Sequence, residues 1–131
     1  MDINDITKAI IDASINLHKK FGPGLLESIY EKLLVIELRS KGLLVEEQKW
    51  LPLIHKGIKY DNAYRIDLLV NNQVIVEVKS AKAMEPIFTN QLRSYLVLSG
   101  LNVGILANFG MSTMKEGLKR IANNFNNNPI H

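Results

Sequence analysis

Apolar residues recur along this chain with two different periods, and the change of period divides it into elements. Ile3, Ile6, Ile10, Ala13, Leu17 and Phe21 step by three and four, the spacing of one face of an α-helix. Gly22-Pro23-Gly24 ends that stripe, since proline cannot continue the helical hydrogen-bond ladder. A second helix is predicted from about Leu25 to Lys41, with Gly42 suited to the position just past its end. The pattern then turns β-like. Leu43 to Trp50 reads as a first strand, extended around Pro52 by Leu53 to Ile58, and Tyr60–Val70 and Val74–Lys79 read as two more. Pro86 opens a third helix through Leu98, Gly100 closes it, and Asn102–Phe109 is a small-residue core strand. Thr113 and Glu116 have the spacing of a capping box before a short last helix, although Gly117 leaves a strand open there. The expected organisation is one α/β domain over residues 1–125 and a frayed Asn-rich tail over 126–131. The central strands are too apolar for a sheet open to water, so helices should cover both faces.

Composition narrows the function classes. With 131 residues, 47% of them hydrophobic, the chain fits one domain with one core. No apolar run approaches the ~20 residues of a membrane helix, and the N-terminus lacks a signal-peptide apolar segment. The absence of cysteine excludes disulfides and thiolate metal sites. A cytoplasmic protein without membrane contact is expected. The formal charge of +3 permits a polyanionic partner without requiring one.

Charges inside the apolar strands change the picture. Asp67 lies in Arg65-Ile66-Asp67-Leu68-Leu69-Val70, and Glu77 and Lys79 lie in Val74-Ile75-Val76-Glu77-Val78-Lys79-Ser80. Buried charges cost several kcal/mol or more unless paired or bound to metal. Asp67 and Glu77 offer the oxygen ligands that Mg²⁺ prefers, and Lys79 shares a strand face with Glu77. The alternative for these three residues is a buried ion-pair network. Glu27 and Tyr30 share a helix face with Leu34, so Glu27 could complete a metal shell, or it could simply complement the helix dipole. Gln91 and Tyr95 are co-facial on the third helix and could reach Lys79 or a phosphate, or merely pack there. Arg93 is read as a surface charge and His18 as structural.

Gly24, Glu27 and Tyr30 form a Gly-x-x-Glu-x-x-Tyr element that resembles the signature of the GxxExxY proteins, small bacterial members of the PD-(D/E)XK nuclease superfamily. The resemblance extends over His18, Gly22 to Glu27, Gln48, Tyr64 to Val70, Val76 to Ser80, Gln91 to Tyr95 and Asn108-Phe109-Gly110. It implies a single PD-(D/E)XK nuclease-like domain whose central mixed sheet of about four strands is flanked by helices. It also implies a metal-dependent nuclease, acting on DNA ahead of RNA, with one or two Mg²⁺ or Mn²⁺ ions. In that reading Asp67, Glu77, the Val78 carbonyl and Glu27 hold metal, and Lys79 positions or activates the attacking water. Gln91 and Tyr95 brace Lys79 or a substrate phosphate, and Gln48 lies nearby. The rival is a nucleic-acid- or protein-binding module that keeps the fold without useful turnover. So small a chain leaves room for a homodimer or a protein partner.

One geometric condition follows. A two-residue turn at Asn71-Asn72 would oppose Asp67 to Val76 and turn Glu77 away from it. A single site therefore requires a three-residue loop or a bulge between the two strands.

Overall fold

The computed structural model describes residues 1–123, so the expected tail at 126–131 lies outside the described residues. The elements are α1 (Ile3–Phe21), α2 (Glu27–Ser40), β1 (Val45–His55), β2 (Ile58–Val70), β3 (Val74–Lys79), α3 (Pro86–Ser99), β4 (Val103–Asn108), the one-turn α4 (Met114–Gly117) and β5 (Leu118–Ala122). They form one mixed sheet in the order β1-β2-β3-β4-β5. Among the described residues only β3 and β4 run parallel, joined by a crossover through α3; the other pairings are antiparallel. Among the described residues no helix is long and apolar enough to cross a membrane.

The sheet has five strands rather than about four, because the undecided last element is one helical turn followed by a strand. Thr113 caps that turn as its spacing predicts, accepting from the Glu116 N–H at 3.3 Å. A side chain at Gly117 would overlap the Asn108 carbonyl, so glycine is required where the turn hands over to β5. The first strand, Val45–His55, joins the two expected pieces on either side of Pro52. It continues through Pro52, where its pairing with β2 shifts register between Leu51 and Leu53, and an edge strand tolerates the proline because one row of its N–H groups needs no partner. Its hairpin turn falls at Lys56-Gly57, both with positive φ, so Ile58 belongs to β2.

Each sheet face packs one core. Leu68, Val70, Val74, Val76, Val78 and Ile105 meet Ile6, Ile10, Tyr30 and Leu34 of α1 and α2. Ile66, Leu69, Ile75 and Leu106 meet Leu92 and Leu96 of α3. β3 is the central strand, its residues from Val74 to Val78 all buried, which explains its near-continuous apolar run. At the end of α1, His18 bonds the Met111 carbonyl through Nε2 at 2.9 Å, a structural tie.

Candidate active site

Asp67 sits where the alternation of β2 slips. Ile66 faces α3, and so does Leu69, whereas Leu68 and Val70 face α1 and α2. Strict alternation would not place Ile66 and Leu69 on one face, so the chain gains a residue at this point. Opposite it on β1, Gln48 has φ 46°, a left-handed conformation uncommon for a non-glycine residue. The loop between β2 and β3 supplies the matching condition. Asn71 and Asn72 have φ 51° and 55°, and the Gln73 N–H donates to the Val70 carbonyl at 3.0 Å. Val70 pairs with Val74, so Asn71, Asn72 and Gln73 form the required three-residue loop. Continuing that register past Leu68↔Val76 brings Asp67 opposite Glu77.

The two carboxylates there take over hydrogen bonds that a ladder would otherwise make. Glu77 Oε2 accepts from the Asp67 N–H at 2.8 Å, and Asp67 Oδ2 accepts from the Val78 N–H at 2.8 Å. Each side chain is thus fixed by the main chain of the opposite strand, and one oxygen of each remains directed elsewhere. Glu77 is 4% exposed. Burial, and then the negative charge of Asp67, pushes its carboxyl up to about 8, against the Asp67 N–H and Lys79, which pull it down. Loss of hydration is the larger cause, and the neighbouring carboxylate adds to it.

A cleft of ≈ 390 Å³ opens on the α2 side of Asp67, lined by Glu27, Ser28, Glu31, Lys32, Gln48, Arg65 and Asp67 itself. Gln48 Nε2 donates to Glu31 Oε1 at 2.5 Å and lies 3.4 Å from Asp67 Oδ1. Glu31 is buried, and burial followed by the Asp67 charge raises its carboxyl above the usual range. The helical acid tied into the site is therefore Glu31, while Glu27 lies one turn earlier and exposed at the rim. Glu31 was absent from the expected set, although its i+4 spacing from Glu27 signals that both share a helix face.

The α3 side carries the remaining expected residues. Glu77 and Lys79 share the face of Ile75. Lys79 Nζ lies 5.1 Å from the Phe88 ring centroid and forms no ion pair within 4 Å among the described residues. Gln91 lies one turn before Tyr95 on α3, near enough to the phenol to favour its ionised form slightly. Burial and the charges of Glu77 and Asp67 raise the Tyr95 phenol, and its ring stacks on Tyr64 at 5.2 Å. Tyr95 thus lies within the field of both carboxylates, Gln91 is exposed beside it, and Lys79 rests on the neighbouring phenyl ring.

Two further motif residues shape the site from behind. The Tyr30 hydroxyl donates to the Gly22 carbonyl and accepts from the Leu25 N–H at 3.1 Å, and its ring stacks on Phe109 at 4.5 Å. Tyr30 therefore locks the Gly-Pro-Gly loop that leads into Glu27. Asn108, fully buried, accepts from the Ala81 and Gly110 N–H groups at 2.9 and 3.0 Å and donates to the Ala83 carbonyl at 3.2 Å. It clamps the segment that leaves the strand after Lys79.

Among the described residues no group of three or more acidic or imidazole side chains is gathered closely enough to hold an ion by itself. The donor set still fits Mg²⁺ or Mn²⁺, because such an ion commonly binds through one or two carboxylates and fills its shell with water and substrate oxygens. Asp67 and Glu77 would hold it, with Glu31 and Glu27 within the adjoining cleft.

A mixed sheet between two helical layers, with two carboxylates and a lysine on adjacent central strands, defines a nuclease-like α/β core. A family model described as the PD-(D/E)XK nuclease superfamily matches residues 4–121, and the chain belongs to that superfamily. Its nucleases generally use divalent metals. No curated protein and no solved structure matches the chain.

Proposed function

We propose that this protein is a Mg²⁺- or Mn²⁺-dependent nuclease that hydrolyses phosphodiester bonds, in DNA ahead of RNA. The observation that carries the reading is the reciprocal arrangement of Asp67 and Glu77. A buried and a half-buried carboxylate, each held by the main chain of the opposite strand and neither in an ion pair within 4 Å among the described residues, are costly for a fold with no use for them. A purely structural protein would be served better by apolar residues there.

The bound ion would supply Lewis-acid stabilisation of phosphoryl charge and a more acidic water. The chain's own residues do the rest. Asp67 and Glu77 fix the ion's position, since main-chain bonds restrict both carboxylates. Lys79 lies two residues beyond Glu77 on the same face, and its flexible stem lets the ammonium turn from Phe88 toward the attacking water or the charge developing on phosphate. Gln91 and Tyr95 present an amide and a phenol on the α3 side, placed to hold Lys79 or a phosphate oxygen. Gln48 and Glu31 position the second Asp67 oxygen from the cleft side.

The test is incubation of the protein with single-stranded DNA, duplex DNA and RNA in Mg²⁺, Mn²⁺ or EDTA, beside Asp67→Asn. Cleavage that requires the ion and is lost in the variant supports the reading. Absence of cleavage on every substrate, with nucleic acid still bound, replaces it with the binding-module reading.

A further inference from the structure

Beyond Ile66 the β1–β2 hairpin leaves the rest of the sheet. β3 pairs with β2 only from Leu68 to Val70, so the outer residues of β2 have β1 as their sole strand neighbour. The arm runs from Lys49 and Arg65 to the Lys56-Gly57 turn, about 20 Å at ~3.3 Å per residue. It carries Lys56, Lys59 and Arg65 against Asp61, a formal +2, while Lys49 on the half-buried face is paired with Glu46 at 2.5 Å.

Its two faces differ. Along β1, Lys49, Leu51 and Leu53 are half-buried, while Trp50, Pro52 and Ile54 are exposed. Trp50 is paired with Arg65 and Ile54 with Lys59; the register shift between Leu51 and Leu53 amounts to two residues, which keeps all four exposed residues on one face. Arg65 also lines the carboxylate cleft, and its guanidinium lies 5.3 Å from the Trp50 ring centroid. The exposed face therefore reads outward from Asp67 as cation, indole, proline, then aliphatic beside cation. Trp50 is 50% exposed and Ile54 65% exposed, which a monomer gains nothing by leaving in water. The Lys59–Asp61 pair at 3.5 Å is itself exposed, so a phosphate can exchange for the carboxylate at little cost.

We propose that this face of the β1–β2 arm is a track for single-stranded nucleic acid, with a base stacked on Trp50 and the backbone running past Arg65, Lys59 and Lys56 into the cleft at Asp67. Alternating ring and cation is what an unpaired strand needs: a π-surface for each exposed base and positive charge for each phosphate. A duplex hides its base faces and would use the cations alone. The proposal rests on the nuclease reading for where the strand leads.

Trp50 is the only tryptophan in the chain, so its fluorescence reports on this face alone. The experiment titrates oligo-dT and a duplex of equal length into the protein in EDTA, following fluorescence under tryptophan-selective excitation and the anisotropy of the labelled DNA. Oligo-dT should quench Trp50 and bind more tightly than duplex. Trp50→Ala and the tip variant Lys56→Glu/Lys59→Glu should each weaken oligo-dT binding by ~10-fold or more. Neither should alter metal-dependent hydrolysis of bis(p-nitrophenyl) phosphate, which is too small to reach the arm. Oligo-dT binding with unchanged Trp50 emission, wild-type affinity in both variants, or absence of binding would each overturn the proposal. So would a homodimer that shields Trp50 and dissociates in Trp50→Ala. Cleavage with full oligo-dT affinity in both variants removes the track and leaves the nuclease; oligo-dT binding through Trp50 without hydrolysis removes the nuclease and leaves the track.

Discussion

Replacing Glu77 with Gln separates a metal site from an ion-pair network by the sign of its effect on stability. The amide keeps an oxygen to accept the Asp67 N–H and removes the charge that opposes Asp67. In the folded, metal-free protein burial and Asp67 raise the Glu77 carboxyl from 4.5 to about 8. Below about pH 4.5 the group is neutral folded and unfolded, so it costs nothing there. As pH rises from 4.5 toward 8 the unfolded chain ionises first and the folded state loses stability throughout that window. At about 1.4 kcal/mol per pKa unit the penalty near neutral pH is on the order of 3–5 kcal/mol. Glu77→Gln should remove it. In EDTA at pH 8 the variant should melt higher than wild type by roughly 10 °C, at about 3 °C per kcal/mol for a domain of this size. Near pH 4.5 the two should converge. The assay is a series of thermal melts from about pH 5 to about pH 9, with and without Mn²⁺. Mn²⁺ should raise the wild-type melting temperature and leave the variant almost unmoved. A variant less stable than wild type at pH 8 would mean an ion-pair network instead, since losing one partner of a buried ion pair costs ~3 kcal/mol or more.

Four further outcomes are expected. Asp67→Asn should weaken Mn²⁺ binding in a calorimetric titration while leaving the metal-free fold as stable as wild type or more so. Lys79→Ala should keep nucleic-acid affinity and cut hydrolysis by ~10²–10³-fold, with Lys79→Arg a poor rescue because a planar guanidinium places its charge differently. Asn108→Ala should lower stability by ~3 kcal/mol or more in denaturant melts, because it strands two buried N–H groups and a carbonyl. Tyr30→Phe should cost ~1–3 kcal/mol by the same measurement, since the Gly22 carbonyl and the Leu25 N–H lose their shared hydroxyl.

What the sequence made legible follows from where local chemistry decides the outcome. The stripe from Ile3 to Phe21, Pro86 at the head of α3 and Gly100 at its end are local signals, and the helices lie within two residues of where they were expected. The three-residue loop was legible because one site demands one register, and Asn tolerates the positive φ that the turn uses. β5 was harder. Lys119 and Arg120 leave its pattern weak, and the need for glycine at position 117 comes from a contact with Asn108 far earlier in the chain. The slip of β2 at Asp67 was illegible for a similar reason. It depends on Gln48, on another strand, adopting a conformation that no residue type announces. Asp67, Glu77 and Lys79 stood out because charge is expensive in an apolar strand. Glu31 did not, because on a helix a carboxylate is ordinary until Gln48 and Asp67 are seen beside it.

The function proposed for this protein depends on Asp67 and Glu77 holding a metal ion together. The most direct measurement is anomalous diffraction from a crystal grown with Mn²⁺. A peak bonded to one oxygen of Asp67 and one of Glu77, at about 2.0–2.2 Å, is expected, and it should disappear in Asp67→Asn. Density showing Lys79 Nζ bridging the two carboxylates, with Mn²⁺ absent at saturating concentration, would contradict it.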